Sequence, residues 1–313
     1  MKRLFITLRL VAFSMLVGIT ATSSAPAWTQ AGKKAWPKAE WVDPVRTAPN
    51  GTKYQTFASK VLDADVSYLV YLPPGYEKDT KRCPVIYWLH GLGGNQRGGA
   101  SIFVPHVDSA IRKGAMQSAI VVVVNGMVNS FYCDWANGKR PIESVIVKDL
   151  VPHVDKTYRT VPRRDGRIIQ GYSMGGYGAA HLAFKYPEVF GAVVVDAGAL
   201  IGEAAMKGPN LAETFKDAFG DKDRFHAEHP FQLVEKNADR IRNKTNIRIG
   251  VGKDDNLLSK NRDLHGLLQR LKIEHEYEVV PDVAHSGMEY YKKLDAKGFE
   301  FHRRVFEALE KIK

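Results

Sequence analysis

The chain has 313 residues, 44% of them hydrophobic and 25% charged, with a formal net charge of +11 at pH 7 and two cysteines. That length supports a sizeable core, and this balance of apolar and charged residues excludes disordered and fibrous classes. The basic residues are scattered, as in Lys33, Lys34, Arg163, Arg164, Arg240 and Arg242, with no basic run interleaved with aromatics, so no nucleic-acid partner is expected.

The first expected element is an export signal over residues 1–27. Lys2, Arg3 and Arg9 make the start positive, Leu10 to Ala21 is an uncharged apolar run, and Ala25-Pro26-Ala27 is a small-x-small cleavage site. The run is about a dozen residues, short of the roughly 20 that a spanning helix needs, so a membrane anchor is the weaker reading. Removal of the signal takes away three basic residues and no acidic one, leaving +8 and no later stretch apolar enough to cross a membrane. A secreted or periplasmic location is expected.

Short apolar strands then alternate with helical patterns. Tyr54 to Leu62 and Val66 to Leu72 read as two strands ending in the turn PPGYE. PVIYWL (84–89) and IVVVV (120–124) are continuous apolar runs, the pattern of strands buried on both faces. RIIQ (167–170), AVVV (192–195), IRIGV (247–251) and EYEVV (276–280) complete the series, with helical patterns at about 103–114, 143–157, 174–186, 259–271 and 288–312. The alternation predicts one α/β domain over 28–313, with a mostly parallel sheet covered on both faces. Residues 200–245 are polar and helix-leaning, and read as an insertion over one end of the sheet.

GYSMGGYG (171–178) places four glycines around Ser173. The first five residues fit G-x-S-x-G, and the strand before and small-residue helix after are the setting of a nucleophile elbow. There the serine oxygen sits at a helix N-terminus, whose free N–H groups and dipole favour a developing anion. A serine hydroxyl attacks only when a base takes its proton, and the usual base is a histidine held by a carboxylate. His285, in the loop PDVAHSG after the last expected strand, suits the base. His181 and His90 read as packed or as part of another motif, and the remaining seven histidines as structural. The acid is expected after IRIGV, where GKDDN offers Asp255 first and Asp254 second; Asp196, at the end of the strand after the elbow helix, is a third candidate. The chain order Ser, Asp, His agrees with an α/β-hydrolase. Two backbone N–H groups should form an oxyanion hole, that of Met174 and that of Leu92 in HGLGG (90–94). A phosphate-loop reading of HGLGG fails, because no Lys-Ser or Lys-Thr follows.

YLPPGY, HGLGG, NSFYCDW, GYSMGGYGA and GKDD…H resemble, in that order, a family of α/β-hydrolase esterases. It contains feruloyl and acetylxylan esterases (carbohydrate esterase family one), S-formylglutathione hydrolases and the mycolyltransferase antigens. The resemblance covers roughly residues 50 to 312. It implies Ser173, Asp255 and His285 as catalytic residues, the Leu92 and Met174 amides as the oxyanion hole, and no metal or other cofactor. It also implies a small ester or polysaccharide-ester substrate. The export signal speaks against the cytosolic S-formylglutathione hydrolases and for a feruloyl-type carbohydrate esterase, with an acetylxylan esterase or an acyltransferase of the mycolyltransferase kind as alternatives.

The rings of NSFYCDW and of the elbow, with Trp135, Tyr132 and Tyr177 foremost, are expected to line a substrate pocket, joined by Phe131, Tyr172, Met288 and Tyr290. Cys83 precedes one strand and Cys133 follows its neighbour, which in a parallel sheet places them about 20 Å apart at ~3.3 Å per residue. A disulfide needs Cα atoms within about 7 Å, so two free thiols are expected despite export.

Overall fold

The computed structural model describes residues 36–311, so the expected export signal lies outside the described residues. All eight expected strands form: β1 (Thr52–Ser59), β2 (Ala64–Tyr71), β3 (Val85–Leu89), β4 (Ile120–Val124), β5 (Arg167–Tyr172), β6 (Ala192–Asp196), β7 (Asn246–Gly252) and β8 (Glu276–Val280). They build one sheet in the order β1-β2-β4-β3-β5-β6-β7-β8. β1 and β4 flank β2 antiparallel, and every other pairing is parallel.

The continuous apolar runs have a direct explanation. Side chains alternate across a strand, so Val85, Tyr87 and Leu89 of β3 join Val122 and Val124 of β4 in one core. Ile86 and Trp88 join Val121 and Val123 in the core on the opposite face. Both faces are covered by helices, so neither set can be polar.

The first helix, α1 (Gln96–Arg112), starts earlier than its apolar pattern does. Asn95 caps it, accepting a bond from Gly98 N at 2.9 Å, and the glycines that follow hide the periodicity. Gly99 is required there because a Cβ would collide with the Trp88 ring. The helical segment over 142–157, α2, has a π-helical stretch at Val145–Leu150. The elbow helix α3 is Met174–Lys185. Between β6 and β7 lie five short helices: α4 (Glu203–Met206), α5 (Ala212–Ala218), α6 (Lys222–Glu228), α7 (Pro230–Lys236) and α8 (Ala238–Ile241). α9 (Leu258–Arg270) follows β7. The helix expected over 288–312 is two, α10 (Gly287–Leu294) and α11 (Glu300–Lys311), separated by a 3₁₀ turn at Asp295–Phe299.

One feature has no counterpart in the sequence patterns. Residues 36–45 form a strap without regular structure across the ends of β2 and β4. The Trp41 carbonyl accepts bonds from Ser67 N at 2.8 Å and Asn125 Nδ2 at 3.0 Å, and Asp43 N donates to Ser67 Oγ at 2.9 Å. Because Asn125 directly follows β4, the strap lies at the carboxyl end of the parallel strands. Cys83 and Cys133 are both free and buried, and burial raises both thiols.

Candidate active site

Ser173 joins β5 to α3 with φ 62° and ψ −118°, a left-handed backbone that costs a non-glycine residue about 1–3 kcal/mol. Three backbone bonds hold it. Ser173 N donates to Asp196 O at 3.0 Å, while Ser173 O accepts from Ala199 N at 2.9 Å and Tyr177 N at 3.1 Å. The turn also needs close backbone approach: a Cβ on Gly175 would collide with the Leu89 carbonyl, and one on Gly171 with the Gly175 carbonyl. These two contacts explain the motif glycines.

The structure brings together the three side chains foremost in the sequence reading. His285 Nε2 lies 2.9 Å from Ser173 Oγ, and its Nδ1 lies 2.8 Å from Asp255 Oδ2. With Nδ1–H donating to the carboxylate, Nε2 is left as an acceptor facing the serine hydroxyl. The other Asp255 oxygen accepts from Leu257 N at 2.8 Å, and the carboxylate is fully buried while His285 is 22% exposed. The loops carrying acid and base are tied to each other, since Lys253 N donates to Val280 O at 2.7 Å and Asp254 N to Val283 O at 3.0 Å. The Tyr172 ring packs beside the imidazole, with centroids 5.2 Å apart.

The two other acid candidates are placed differently. The Asp254 side chain is exposed. Asp196 is fully buried and accepts from Gln170 Nε2 at 2.7 Å, Tyr290 OH at 2.9 Å, Tyr291 OH at 2.8 Å and Arg248 Nη1 at 3.2 Å. Tyr290 and Tyr291 belong to α10, which begins two residues after His285. Asp196 therefore grips the nucleophile's turn through its backbone and the base's helix through its side chain.

The loop His90–Gly94 follows β3 and closes on the serine. A Cβ on Gly91 would stand 3.4 Å from Ser173 Cβ and 3.9 Å from its Oγ, so Leu92 is one residue from that contact. Met174 opens α3. His90 fixes the loop: its Nδ1 lies 2.9 Å from Gly91 O, and its Nε2 accepts from Gly126 N at 3.3 Å.

Comparison with known proteins gives the family. The family model described as "Putative esterase" matches residues 59–303. The chain belongs to this esterase family. Its class is the carboxylic ester hydrolases. An endo-1,4-beta-xylanase/feruloyl esterase of Xylanibacter ruminicola is 31% identical over 166 residues, 49% of this chain and 22% of that protein. An acetyl esterase of Caldicellulosiruptor saccharolyticus is 25% identical over 269 residues, 80% of this chain and 97% of that one. The esterase chain thus spans about a fifth of the first relative and nearly all of the second. A solved ferulic acid esterase superposes with a TM-score of 0.68 over 81% of this chain and 98% of that one, at 24% identity. The shared architecture is the α/β-hydrolase fold.

The expected aromatic pocket needs correction. Tyr132 and Tyr177 are 0% and 1% exposed, and Phe131 and Tyr290 are likewise buried, so these rings are core and not pocket wall. The reason is local. Phe131 and Tyr132 have φ values of 52° and 57°, a turn that tucks both rings inward. The Tyr132 ring occupies space that Cβ atoms on Gly126 and Gly178 would fill, and its hydroxyl donates to His90 O at 2.9 Å. Tyr132 thus supports the HGLGG loop from below. Trp135 is 6% exposed and lines a cleft, described below, while Met288 is 61% exposed beside the base.

Among the described residues, Glu143, His181 and Glu228 bring one potential metal-ligating atom each within 4.8 Å of one another. The esterase satisfies this cluster internally. Lys185 Nζ lies 2.9 Å from Glu143 and 2.6 Å from Glu228, His181 Nε2 lies 2.6 Å from Glu143, and Tyr186 OH donates to Glu143. Burial opposes ionisation of Glu143, but His181 and Lys185 outweigh it and bring the carboxyl down to about 2.

Two fully buried imidazoles make stability pH-dependent. Burial lowers His90 to about 4 and His302 to about 3, so both are neutral in the folded state at pH values where the unfolded chain, near 6.5, begins to bind protons. Their contribution is complete above pH 6.5 and is lost as pH falls toward 4 and 3, at about 3–5 kcal/mol for each group. Urea unfolding should therefore show stability dropping between pH 6.5 and 4. His302→Gln, which cannot titrate, should show a shallower drop; a flat wild-type profile would contradict the assignment.

Proposed function

We propose that this esterase is an exported serine hydrolase that cleaves carboxylic esters through an acyl-enzyme on Ser173. The observation that carries the reading is the unbroken hydrogen-bond chain from the buried Asp255 through His285 to Ser173. Export rests on the basic start, apolar run and cleavage pattern of residues 1–27.

In this mechanism His285 Nε2 takes the Ser173 proton as Oγ attacks the ester carbonyl. The tetrahedral oxyanion is stabilised by the N–H groups of Leu92 and Met174, the latter at the positive end of α3. Collapse breaks the bond to the alcohol, which leaves with the proton held on His285. Water then attacks the acyl carbonyl, gives a proton to His285, and the acid departs as Ser173 regains its hydrogen. Asp255 stays ionised and holds the imidazole in the tautomer that leaves Nε2 free.

The substrate we propose is a feruloyl-type polysaccharide ester. Export and the relative named for feruloyl esterase activity support it. The acetyl esterase relative, matched over nearly its whole length, supports an acetyl ester as the second reading.

Ser173→Ala and His285→Ala should each remove nearly all turnover, because nucleophile and base act as a unit. Asp255→Asn should lower kcat on the order of 10⁴-fold. Asp254→Asn should have little effect, since its side chain is in water. An active Asp255 variant with a dead Asp254 variant would reverse the assignment of the acid. For the acyl group, kcat/KM on methyl ferulate should exceed that on small acetyl esters; a clear acetyl preference selects the second reading.

A further inference from the structure

A cleft of about 340 Å³ opens beside the HGLGG loop, between the strap, the NSFYCDW turn and helix α5. Trp36 and Lys38 of the strap form one wall, Trp135 and Arg140 the second, and Glu213 and Asp217 of α5 the third. We propose that this cleft is a subsite for a neutral sugar carried by the ester, with Trp36 as its platform. The proposal rests on the reading that Ser173 turns over esters.

Position is the first argument. Gly91 touches Ser173, and a Cβ on Gly93, two residues on, would stand 3.3 Å from the Trp36 ring. Two residues span at most about 7 Å between Cα atoms, so, with the Cα–Cβ bonds at each end counted, the indole lies no more than about 17 Å from the Ser173 hydroxyl. That is within the reach of a short sugar chain attached to the scissile ester.

Chemistry is the second. The lining holds two cations, Lys38 and Arg140, of which Lys38 pairs with Glu40 outside the cleft, and two carboxylates, Glu213 and Asp217, so it presents no net positive charge to attract an anion. An aryl ring filling the cleft would strip water from these groups and return no hydrogen bonds, a costly exchange. A polyhydroxylated ring offers donors to the carboxylates, acceptors to the cations and an apolar face to the indole. Trp135 itself is held rigid: Arg140 stacks on its ring at 4.3 Å and its Nε1 donates to Ser130 O at 3.3 Å. Arg140 in turn donates to Asn129 Oδ1 at 3.0 Å. Trp36 is half-buried, so part of its ring is open to a ligand.

The attachment of Trp36 is the third. The strap precedes residues 59–303, the stretch that the esterase family model matches. Its anchoring is by backbone to Ser67 and Asn125, and loss of the Trp36 side chain leaves those bonds in place.

The test has two arms. Feruloylated arabinoxylo-oligosaccharide and methyl ferulate are compared as substrates of wild type and Trp36→Ala. The ratio of their kcat/KM values should fall about tenfold in the variant, through KM of the sugar ester. Separately, unesterified arabinoxylo-oligosaccharide is titrated calorimetrically into Ser173→Ala, with and without Trp36→Ala; binding is expected in the first and at least tenfold weaker in the second. An unchanged ratio, or no oligosaccharide binding to Ser173→Ala, overturns the subsite while leaving the esterase reading intact. Absence of turnover on every ester, with binding retained, would instead sink the catalytic reading. Glu213→Gln is a second variant remote from the strap and should weaken oligosaccharide binding in the same direction.

Discussion

A serine at φ 62° persists only where its surroundings overdetermine it, and most of this molecule's catalytic end can be read as the means of doing so. β5 delivers the residue, the Asp196 carbonyl takes its N–H, and its own carbonyl is bonded from both α3 and the segment after β6. Leu89, at the end of β3, closes against Gly175. Leu89 and Asp196 end the two strands, β3 and β6, that flank β5 in the parallel part of the sheet. The register of β3, β5 and β6 therefore matters more to this turn than any property of the serine itself.

Asp196 is where those constraints meet. Strand registry puts it beside Tyr172, its carbonyl on the elbow and its carboxylate beneath the helix that follows His285. Four donors surround the buried carboxylate, including Arg248, which also pairs with Glu278 at 2.6 Å. A buried charge so fully bonded adds geometric definition more than net stability, because desolvation offsets much of the attraction. What it defines is the spacing between nucleophile and base. The third candidate for the acid thus serves as a brace between the other parts of the site.

Much of this was legible in the residues. Strands buried on both faces advertise themselves as unbroken apolar runs, and the elbow glycines mark a turn that nothing larger would fit. The order of Ser173, Asp255 and His285 along the chain, each after a different strand, matched one known arrangement. The failures share a cause. Whether Tyr132 faces a pocket or the core depends on positive φ at Phe131 and Tyr132 and on the space left above Gly126 and Gly178, which lie far apart in sequence. Spacing cannot report that. The strap is held by backbone carbonyls and two polar side chains, so residues 36–45 carry no periodic signature, and with them Trp36 escaped notice. The start of α1 is hidden by Gly98 and Gly99, of which Gly99 is demanded by packing on Trp88.

The central claim is that a strained turn presents one serine hydroxyl, of all those in the chain, to a base already oriented by a buried carboxylate. Covalent labelling with a fluorophosphonate reads this directly, because the reagent captures a serine in proportion to its activation. Peptide mass spectrometry of the intact esterase after labelling should find a single phosphonylated residue, Ser173, formed rapidly in the wild type and orders of magnitude more slowly in His285→Ala. An adduct on another residue, or an equal labelling rate at Ser173 without the imidazole, would contradict the account.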